Sequence, residues 1–177
     1  MPEGRDGTIT HMAVAIGTPL PAFALTDPAT GKSFGTSDLI GADAMVVFLR
    51  GTWCPYCREQ LALMKERYSE IEAAKIRVVA ISCQSAASLA RYLEGNPLPF
   101  PVLADESRGV ARAFGVHYRF RWDGMNLAHP SLFIADRTGT ITFKHVGRTM
   151  SDLPIGLLLD RFLGFLRESA PIAGGTA

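Results

Sequence analysis

Short apolar runs alternate along the chain with stretches in which apolar residues recur every three or four positions. Residues 45–49 and 76–82 are runs of the first kind, and each predicts a buried strand. Between them, apolar residues follow the spacing of one helix face: Cys57, Leu61, Met64, Tyr68 and Ile71. This helix is expected to end near Lys75. A strand, a helix of this length and a second strand predict a right-handed unit with parallel strands.

The flanking segments carry further patterns of both kinds. They predict, in chain order, a hairpin around residues 23–31, a helix over 85–94, an extended piece at 100–103, a short helix over 106–114, a hairpin of strands 131–135 and 140–146, and a last helix from Ser151 or Asp152 to about Arg167 with Pro154 in its first turn. Together these elements predict the α/β class. We expect a sandwich in which a central mixed sheet, parallel at first and antiparallel at its end, has helices on both faces.

Composition is that of an ordinary globular domain, with 47% apolar and 20% charged residues in a chain of 177. We therefore expect a single domain over residues 13–168, a flexible N-terminus over 1–12 and a flexible tail over 169–177. Eighteen basic and seventeen acidic side chains nearly cancel, so no nucleic-acid partner is expected.

Hydropathy and the number of cysteines indicate the cellular compartment in which the protein is expected. No apolar run is long enough to predict a membrane span, and residues 1–11 lack the apolar core of a signal peptide. Three cysteines do not make the larger, even set typical of a secreted disulfide framework. These observations predict a cytoplasmic protein, in which a close cysteine pair is more often reactive than structural.

The chemistry of this sequence is concentrated where the first buried strand meets the helix, at Cys54-Pro55-Tyr56-Cys57. Pro55 is suited to the first helical position, which puts Cys54 at or near the N-cap. Free backbone N–H groups and the positive end of the helix dipole favour a thiolate there. Cys57 lies one turn further along, on the apolar face. We expect an exposed, attacking Cys54 and a shielded Cys57 that resolves the mixed disulfide.

The sequence offers little support for a metal site at the cysteines. Structural zinc takes four ligands, and beyond this pair the chain has only Cys83 and four histidines without a second pair at ligand spacing, so neither a metal nor another cofactor is expected. Cys83 ends a buried strand and is predicted to be a small core residue. His129, beside Pro130, is either a proton shuttle facing the cysteines or a residue with a local hydrogen bond. Arg50 and Arg58 add positive charge if they turn inward.

Several segments together resemble one family. They are 17–25 (GTPLPAFAL), 48–60 (FLRGTWCPYCREQ), 78–85 (VVAISCQS), 100–116 (FPVLADESRGVARAFGV) and 131–141 (SLFIADRTGTI). They resemble the thioredoxin superfamily, in particular its peroxiredoxin-like branch, the alkyl hydroperoxide reductase / thiol-specific antioxidant family. The likeness spans residues 15–165 and implies a thioredoxin-like sandwich, with Pro130 as a cis-proline facing the cysteines. The supporting residues expected around Cys54 and Cys57 are Trp53, Pro55, Tyr56, Arg58, His129 and Pro130.

The chain also departs from that family's pattern. In an alignment of the loops, Cys57 takes the place of the peroxide-reducing cysteine, Cys54 that of the signature threonine and Arg50 that of the signature proline. The family's peroxide-polarising arginine would fall near Pro130 and is missing there. The cysteine loop thus resembles the dithiol of a thioredoxin set in the frame of a peroxiredoxin.

Three functions remain open at this point. The first is a thiol-dependent oxidoreductase that reduces disulfides, with Cys54 as nucleophile and Cys57 resolving. The second is a hydroperoxide reductase in which Cys57 reacts with peroxide and Cys54 resolves. The third is a non-catalytic redox sensor or binding module. Either enzyme needs a thiol reductant, which the resemblance implies to be a thioredoxin- or glutathione-type system. A homodimer formed through the apolar last helix is possible, although packing of that helix on the sheet is the stronger expectation.

Overall fold

The computed structural model describes residues 14–121, 124–153 and 155–169. The expected flexible N-terminus over 1–12, the tail from residue 170 onward and the position of Pro154 lie outside these ranges. The elements in chain order are β1 (Ala24–Thr26), β2 (Ser33–Gly35), α1 (Thr36–Leu39), β3 (Ala44–Leu49), α2 (Pro55–Glu66), α3 (Tyr68–Ala73), β4 (Arg77–Ser82), α4 (Ala86–Gly95), β5 (Val102–Ala104), α5 (Gly109–Ala113), β6 (His117–Arg121), β7 (Gly124–Ala128), β8 (Ser131–Ala135), β9 (Ile141–Val146) and α6 (Ile155–Ser169).

A five-stranded sheet lies at the centre of the described chain, in the order β5-β4-β3-β8-β9. β3, β4 and β5 run parallel, with Ala44 opposite Arg77 at the start of the β3–β4 ladder. β8 is antiparallel to β3, and β9 is antiparallel to β8. The predicted mixed sheet with a parallel start and an antiparallel end is therefore confirmed.

Strand β3 is buried along its whole length because both faces of the sheet are covered. Alternate residues of the strand enter two different apolar clusters, Met45, Val47 and Leu49 on one face and Ala44, Val46 and Phe48 on the other. Helices α2, α3, α4 and α6 contribute to the first cluster, and α1 and α5 to the second. The prediction that helices cover both faces of the sheet is confirmed.

The helix after the cysteines is interrupted, so the prediction of one helix reaching Lys75 is wrong. It stops at Arg67, whose backbone leaves the helical region at φ −94° and ψ 11°, and α3 starts at Tyr68. The Arg67 side chain forms ion pairs with Glu70 and with Asp160 of α6. Apolar spacing continues across the break, and for this reason the pattern alone did not show it.

A second difference is the hairpin of β6 and β7, which the sequence pattern did not predict. It forms a separate two-stranded antiparallel sheet in which Tyr118 lies opposite Leu127. The chain returns from this hairpin directly into β8, so it lies next to the end of β3 where the cysteine loop begins.

The last helix packs on the sheet, as expected. Leu159 and Leu163 of α6 are buried in the same cluster as Leu61 and Met64 of α2. Among the described residues, no helix has the length and apolar character needed to cross a bilayer.

Four aromatic rings contact one another in the second cluster: those of Phe23, Phe48, Phe114 and Phe133. Their packing provides a test of the fold. Phe114 is fully buried and its ring lies 5.0 Å from that of Phe48 and 5.1 Å from that of Phe133. We expect Phe114→Ala to lower the free energy of unfolding by about 3–5 kcal/mol, measured by urea denaturation, because it leaves a cavity at this contact. Phe120→Ala is the matched control, since Phe120 is 75% exposed. Equal losses in the two variants would contradict this view of the core.

Candidate active site

The two cysteines of the motif lie where the loop after β3 turns into α2. Cys54 is the N-cap of α2, and Pro55 is in the first turn, as predicted. The backbone N–H of Cys54 donates to the carbonyl of Gly51 at 3.1 Å, which closes the turn before the helix. Gly51 has no side chain, and a Cβ at this position would collide with the indole of Trp53.

Both sulfurs are withdrawn from solvent, so the expectation of an exposed Cys54 is wrong. Cys54 is 1% exposed and Cys57 is fully buried. The reason is the direction of the Cys54 side chain, which turns inward and joins the apolar cluster between the sheet and α2. The prediction of a buried Cys57 is confirmed. A substrate can therefore reach Cys54 only after a local movement of the loop.

Arg50 is the charged group of this site. It is the largest fully buried side chain among the described residues, with 2% exposure. Its Nη1 donates to Cys54 Sγ at 3.8 Å, its Nε donates to the hydroxyl of Tyr118 at 3.4 Å, and its guanidinium carbon lies 5.2 Å from the centre of the Trp53 ring. A cation held this close to the sulfur stabilises negative charge that develops on Cys54.

Cys57 is in a different electrostatic environment from Cys54. The pKa of its thiol is raised to about 11, chiefly by burial and in smaller part by Cys54, against the opposing effect of the backbone N–H groups of Gly51 and Arg50. Cys57 is thus a protonated thiol at neutral pH. Of the pair, Cys54 is the sulfur next to a cation.

Gln84 anchors the cysteine loop to the neighbouring strand. Its side-chain oxygen accepts the backbone N–H of Thr52 at 2.7 Å, and its side-chain nitrogen donates to the Thr52 hydroxyl at 3.0 Å. Ser82, the last residue of β4, donates to the same oxygen at 3.3 Å. The carboxyl ends of two adjacent parallel strands therefore hold the loop in place, which is where functional loops of parallel sheets usually lie.

The residues predicted to support the motif occupy different surroundings. Trp53 and Tyr56 are exposed by 52% and 42%, and Pro55 is exposed between the cysteines. Arg58 is also exposed. Burial raises the pKa of Tyr92 in α4, and the positive charge of Arg58 opposes that effect. Of the two arginines expected to add charge near the cysteines, Arg50 is the one that contacts Cys54 Sγ.

His129 and Pro130 precede β8 and are both buried. Since Phe48 lies opposite Ser131 in an antiparallel ladder, these two residues run beside the end of β3. His129 Nδ1 makes a hydrogen bond with the carbonyl of Gly147 at 3.1 Å, in agreement with one of the two alternatives predicted. Its ring packs against that of Tyr118 at a tilted angle of 54°. The expectation of a cis bond before Pro130 is wrong: it is trans, the form that X-Pro bonds generally prefer.

Cys83 is separated from the other two cysteines by the sheet. It lies in the second cluster, whereas Cys54 and Cys57 lie in the first. It is 3% exposed, and burial raises the pKa of its thiol to about 12. It is therefore a small core residue, as predicted. No group of three or more metal-ligating side chains is found within the described ranges.

Two residues of the site were missed by the sequence analysis. Gln84 follows the end of a strand predicted to be parallel to β3, so its position at the same edge of the sheet was an available signal. Tyr118 has no such signal, since it lies 68 residues from Arg50 in a hairpin that the pattern did not show.

Comparison with known proteins identifies the family of this chain. The model of the AhpC/TSA family matches residues 16–144. The chain belongs to the AhpC/TSA family. Peroxiredoxin Bcp of Escherichia coli is 28% identical over 85% of this chain and 94% of its own length. The thiol:disulfide interchange protein DsbE of Yersinia pestis is 30% identical over 82% of this chain and 71% of its own length.

Solved structures support the fold independently. Peroxidoxin BcpB of Mycobacterium tuberculosis superposes with a TM-score of 0.74 over 87% of this chain and 97% of its own, at 21% sequence identity. The predicted thioredoxin-like sandwich is thereby confirmed. Membership of the AhpC/TSA family makes the chain a thiol-dependent oxidoreductase, and the relatives include both peroxiredoxins and a thiol:disulfide interchange protein.

The contact of Arg50 with Cys54 predicts a change in reactivity. We expect Arg50→Met to slow the alkylation of Cys54 at pH 7 by about tenfold, because it removes a charged hydrogen bond to the attacking sulfur. The measurement is the rate with iodoacetamide in a Cys57→Ser/Cys83→Ser background. Arg91→Met, which removes an exposed arginine on α4, is the control. Unchanged reactivity in Arg50→Met would show that the guanidinium does not act on Cys54.

The raised pKa of Cys57 predicts its pH dependence. In a Cys54→Ser/Cys83→Ser background, we expect Cys57 to be inert towards iodoacetamide at pH 7 and to react increasingly as the pH approaches 11, since only the thiolate is nucleophilic. The substitution removes the contribution of Cys54 to the pKa but leaves burial, the larger cause. A reaction midpoint at or below the ordinary pKa of a thiol, about 8.5, would contradict the prediction.

Proposed function

We propose that the protein reduces disulfide bonds, with Cys54 as the attacking sulfur and Cys57 as the resolving one. The observation that carries the proposal is the hydrogen bond from Arg50 to Cys54 Sγ at 3.8 Å. Cys57 is protonated and fully buried, which suits a group that acts only after Cys54 has reacted. The similarity to a thiol:disulfide interchange protein supports the same reaction class.

The reaction consists of two exchange steps. The Cys54 thiolate attacks one sulfur of the substrate disulfide, which forms a Cys54–substrate mixed disulfide and releases the other substrate sulfur as a thiolate. Cys57 then gives up its proton and attacks Cys54 Sγ, which forms the Cys54–Cys57 disulfide and releases the second substrate thiolate. Two electrons pass from the protein to the substrate, and the two released thiolates take up protons.

An external thiol has to restore the dithiol after each cycle. We propose a thioredoxin- or glutathione-type reductant. In return, the dithiol of a thioredoxin-type protein would be oxidised to a disulfide, or two glutathione-type thiols would be oxidised to one disulfide. The cytoplasmic location expected from cysteine usage and the possible homodimer through α6 stay predictions.

A second candidate function is hydroperoxide reduction, which the peroxiredoxin relatives and the position of Cys57 in the family's motif favour. Here the Cys57 thiolate would attack the terminal peroxide oxygen, release the alcohol or water and become a sulfenic acid. Cys54 would then condense with it, expel water and form the same disulfide. The raised pKa of Cys57 argues against a fast first step, because little thiolate is present at neutral pH.

Single cysteine variants separate the two functions. If the protein is a disulfide reductase, Cys54→Ser abolishes the reduction of a disulfide substrate, and Cys57→Ser accumulates a mixed disulfide that mass spectrometry detects. Disulfide reduction is measured as the rate above that of dithiothreitol alone, the mixed disulfide is trapped before any thiol is added, and peroxide consumption is followed by stopped flow with dithiothreitol. Cys83→Ser is the matched control, and it should retain full turnover.

The contrary outcome is equally specific. Should Cys54→Ser continue to consume peroxide with the added thiol while Cys57→Ser does not, the disulfide-reductase proposal fails and the peroxidase assignment replaces it. If neither substrate is turned over by the parent protein with any thiol donor, both proposals fail.

A further inference from the structure

We propose that Tyr118 is a positioning residue for the thiol chemistry: it holds the guanidinium of Arg50 against Cys54 Sγ, and His129 in turn supports Tyr118. The inference deepens the proposed function and rests on Cys54 being the attacking sulfur. It gives the β6–β7 hairpin a role in the reaction, and it gives the buried His129 a role as a support for Tyr118.

Arg50 needs a second fixed contact in order to act on a single sulfur atom. An arginine side chain has many rotamers, and ordering it costs conformational entropy. The guanidinium is planar, so a bond at Nε together with one at Nη1 fixes the direction of the whole group. Tyr118 accepts from Nε at 3.4 Å and Cys54 Sγ accepts from Nη1 at 3.8 Å. Both contacts favour the orientation in which the charge faces Cys54.

Tyr118 is itself held on more than one side. Its side chain is 9% exposed, and its ring centre lies 4.8 Å from that of His129. His129 is fixed by the hydrogen bond between Nδ1 and the carbonyl of Gly147, the residue that follows β9, at 3.1 Å. The order of contacts is therefore Gly147 to His129, His129 to Tyr118, Tyr118 to Arg50 and Arg50 to Cys54.

Gly124, at the start of β7, shows how closely the hairpin approaches this charge. A Cβ at Gly124 would lie 3.4 Å from Arg50 Nη2 and 3.6 Å from the Tyr118 hydroxyl. The backbone of β7 thus borders the same guanidinium that Tyr118 contacts from β6. Two strands of the hairpin and the cysteine loop meet at Arg50, as expected if the hairpin keeps the cation in place.

The test measures positive charge at Cys54 directly and does not require turnover. In a Cys57→Ser/Cys83→Ser background, Cys54 is alkylated in parallel with iodoacetate, which is an anion, and with iodoacetamide, which is neutral. Both reagents are similar in size and need the same opening of the loop. The ratio of the iodoacetate rate to the iodoacetamide rate therefore reports the local charge. We expect Tyr118→Phe to lower this ratio by about three- to tenfold, because it removes one hydrogen bond to the guanidinium.

The control and the double variant show whether Tyr118 acts through Arg50. Tyr92→Phe removes a hydroxyl from α4 and should leave the ratio unchanged. Arg50→Met should lower the ratio at least as far as Tyr118→Phe, and adding Tyr118→Phe to Arg50→Met should lower it no further. An unchanged ratio in Tyr118→Phe, or a further fall of the same size in the double variant, would overturn the inference.

A different substitution covers the case in which Tyr118→Phe destabilises the fold. Arg50→Lys keeps the positive charge but lacks the planar fork that reaches both the sulfur and the phenol, so it should lower the ratio as Tyr118→Phe does. A ratio equal to that of the parent would overturn the inference. If the ratios behave as expected but Cys54→Ser still consumes peroxide, the positioning role holds and the disulfide-reductase proposal fails.

Discussion

A buried cation beside a buried sulfur is the interaction on which the rest of this site depends. Removing a guanidinium from water is costly unless hydrogen bonds and nearby electron density compensate for the lost hydration. Arg50 finds such groups in Cys54 Sγ, the Tyr118 hydroxyl and the face of Trp53. They come from the cysteine loop and from a hairpin far along the chain, so the position of the charge depends on tertiary structure.

This arrangement gives two cysteines of one helical turn unequal chemistry. Cys54 caps the helix and receives a charged hydrogen bond, whereas Cys57 lies deeper in the apolar cluster, where burial raises the pKa of its thiol. Both sulfurs are withdrawn from solvent, so exposure does not distinguish them. The positive charge of Arg50 distinguishes them, and in the proposed reaction it determines that Cys54 attacks first and Cys57 resolves the mixed disulfide.

The parts of the fold that depend on local pattern were predictable from sequence. Continuous apolar runs correctly indicated β3, β4 and β8, and the spacing after Pro55 indicated α2. The break at Arg67 was not predictable, because the apolar spacing continues across it and the contact of Arg67 with Asp160 is made to another helix. The inward turn of Cys54 and the contact of Tyr118 with Arg50 are likewise set by tertiary packing, which no short window of the chain contains.

The position of Arg50 also bears on the choice between the two candidate reactions. The resemblance to peroxiredoxins places an arginine near Pro130 and the reacting sulfur at Cys57, and this chain has neither that arginine nor a cation bonded to Cys57 among its described contacts. Its buried arginine instead replaces the signature proline and contacts Cys54. A cation stabilises the sulfur that it touches, so a shift of the charge to Cys54 favours a shift of the nucleophile to the same residue. The family's fold is kept, and the reaction that we propose for its cysteine loop is disulfide exchange.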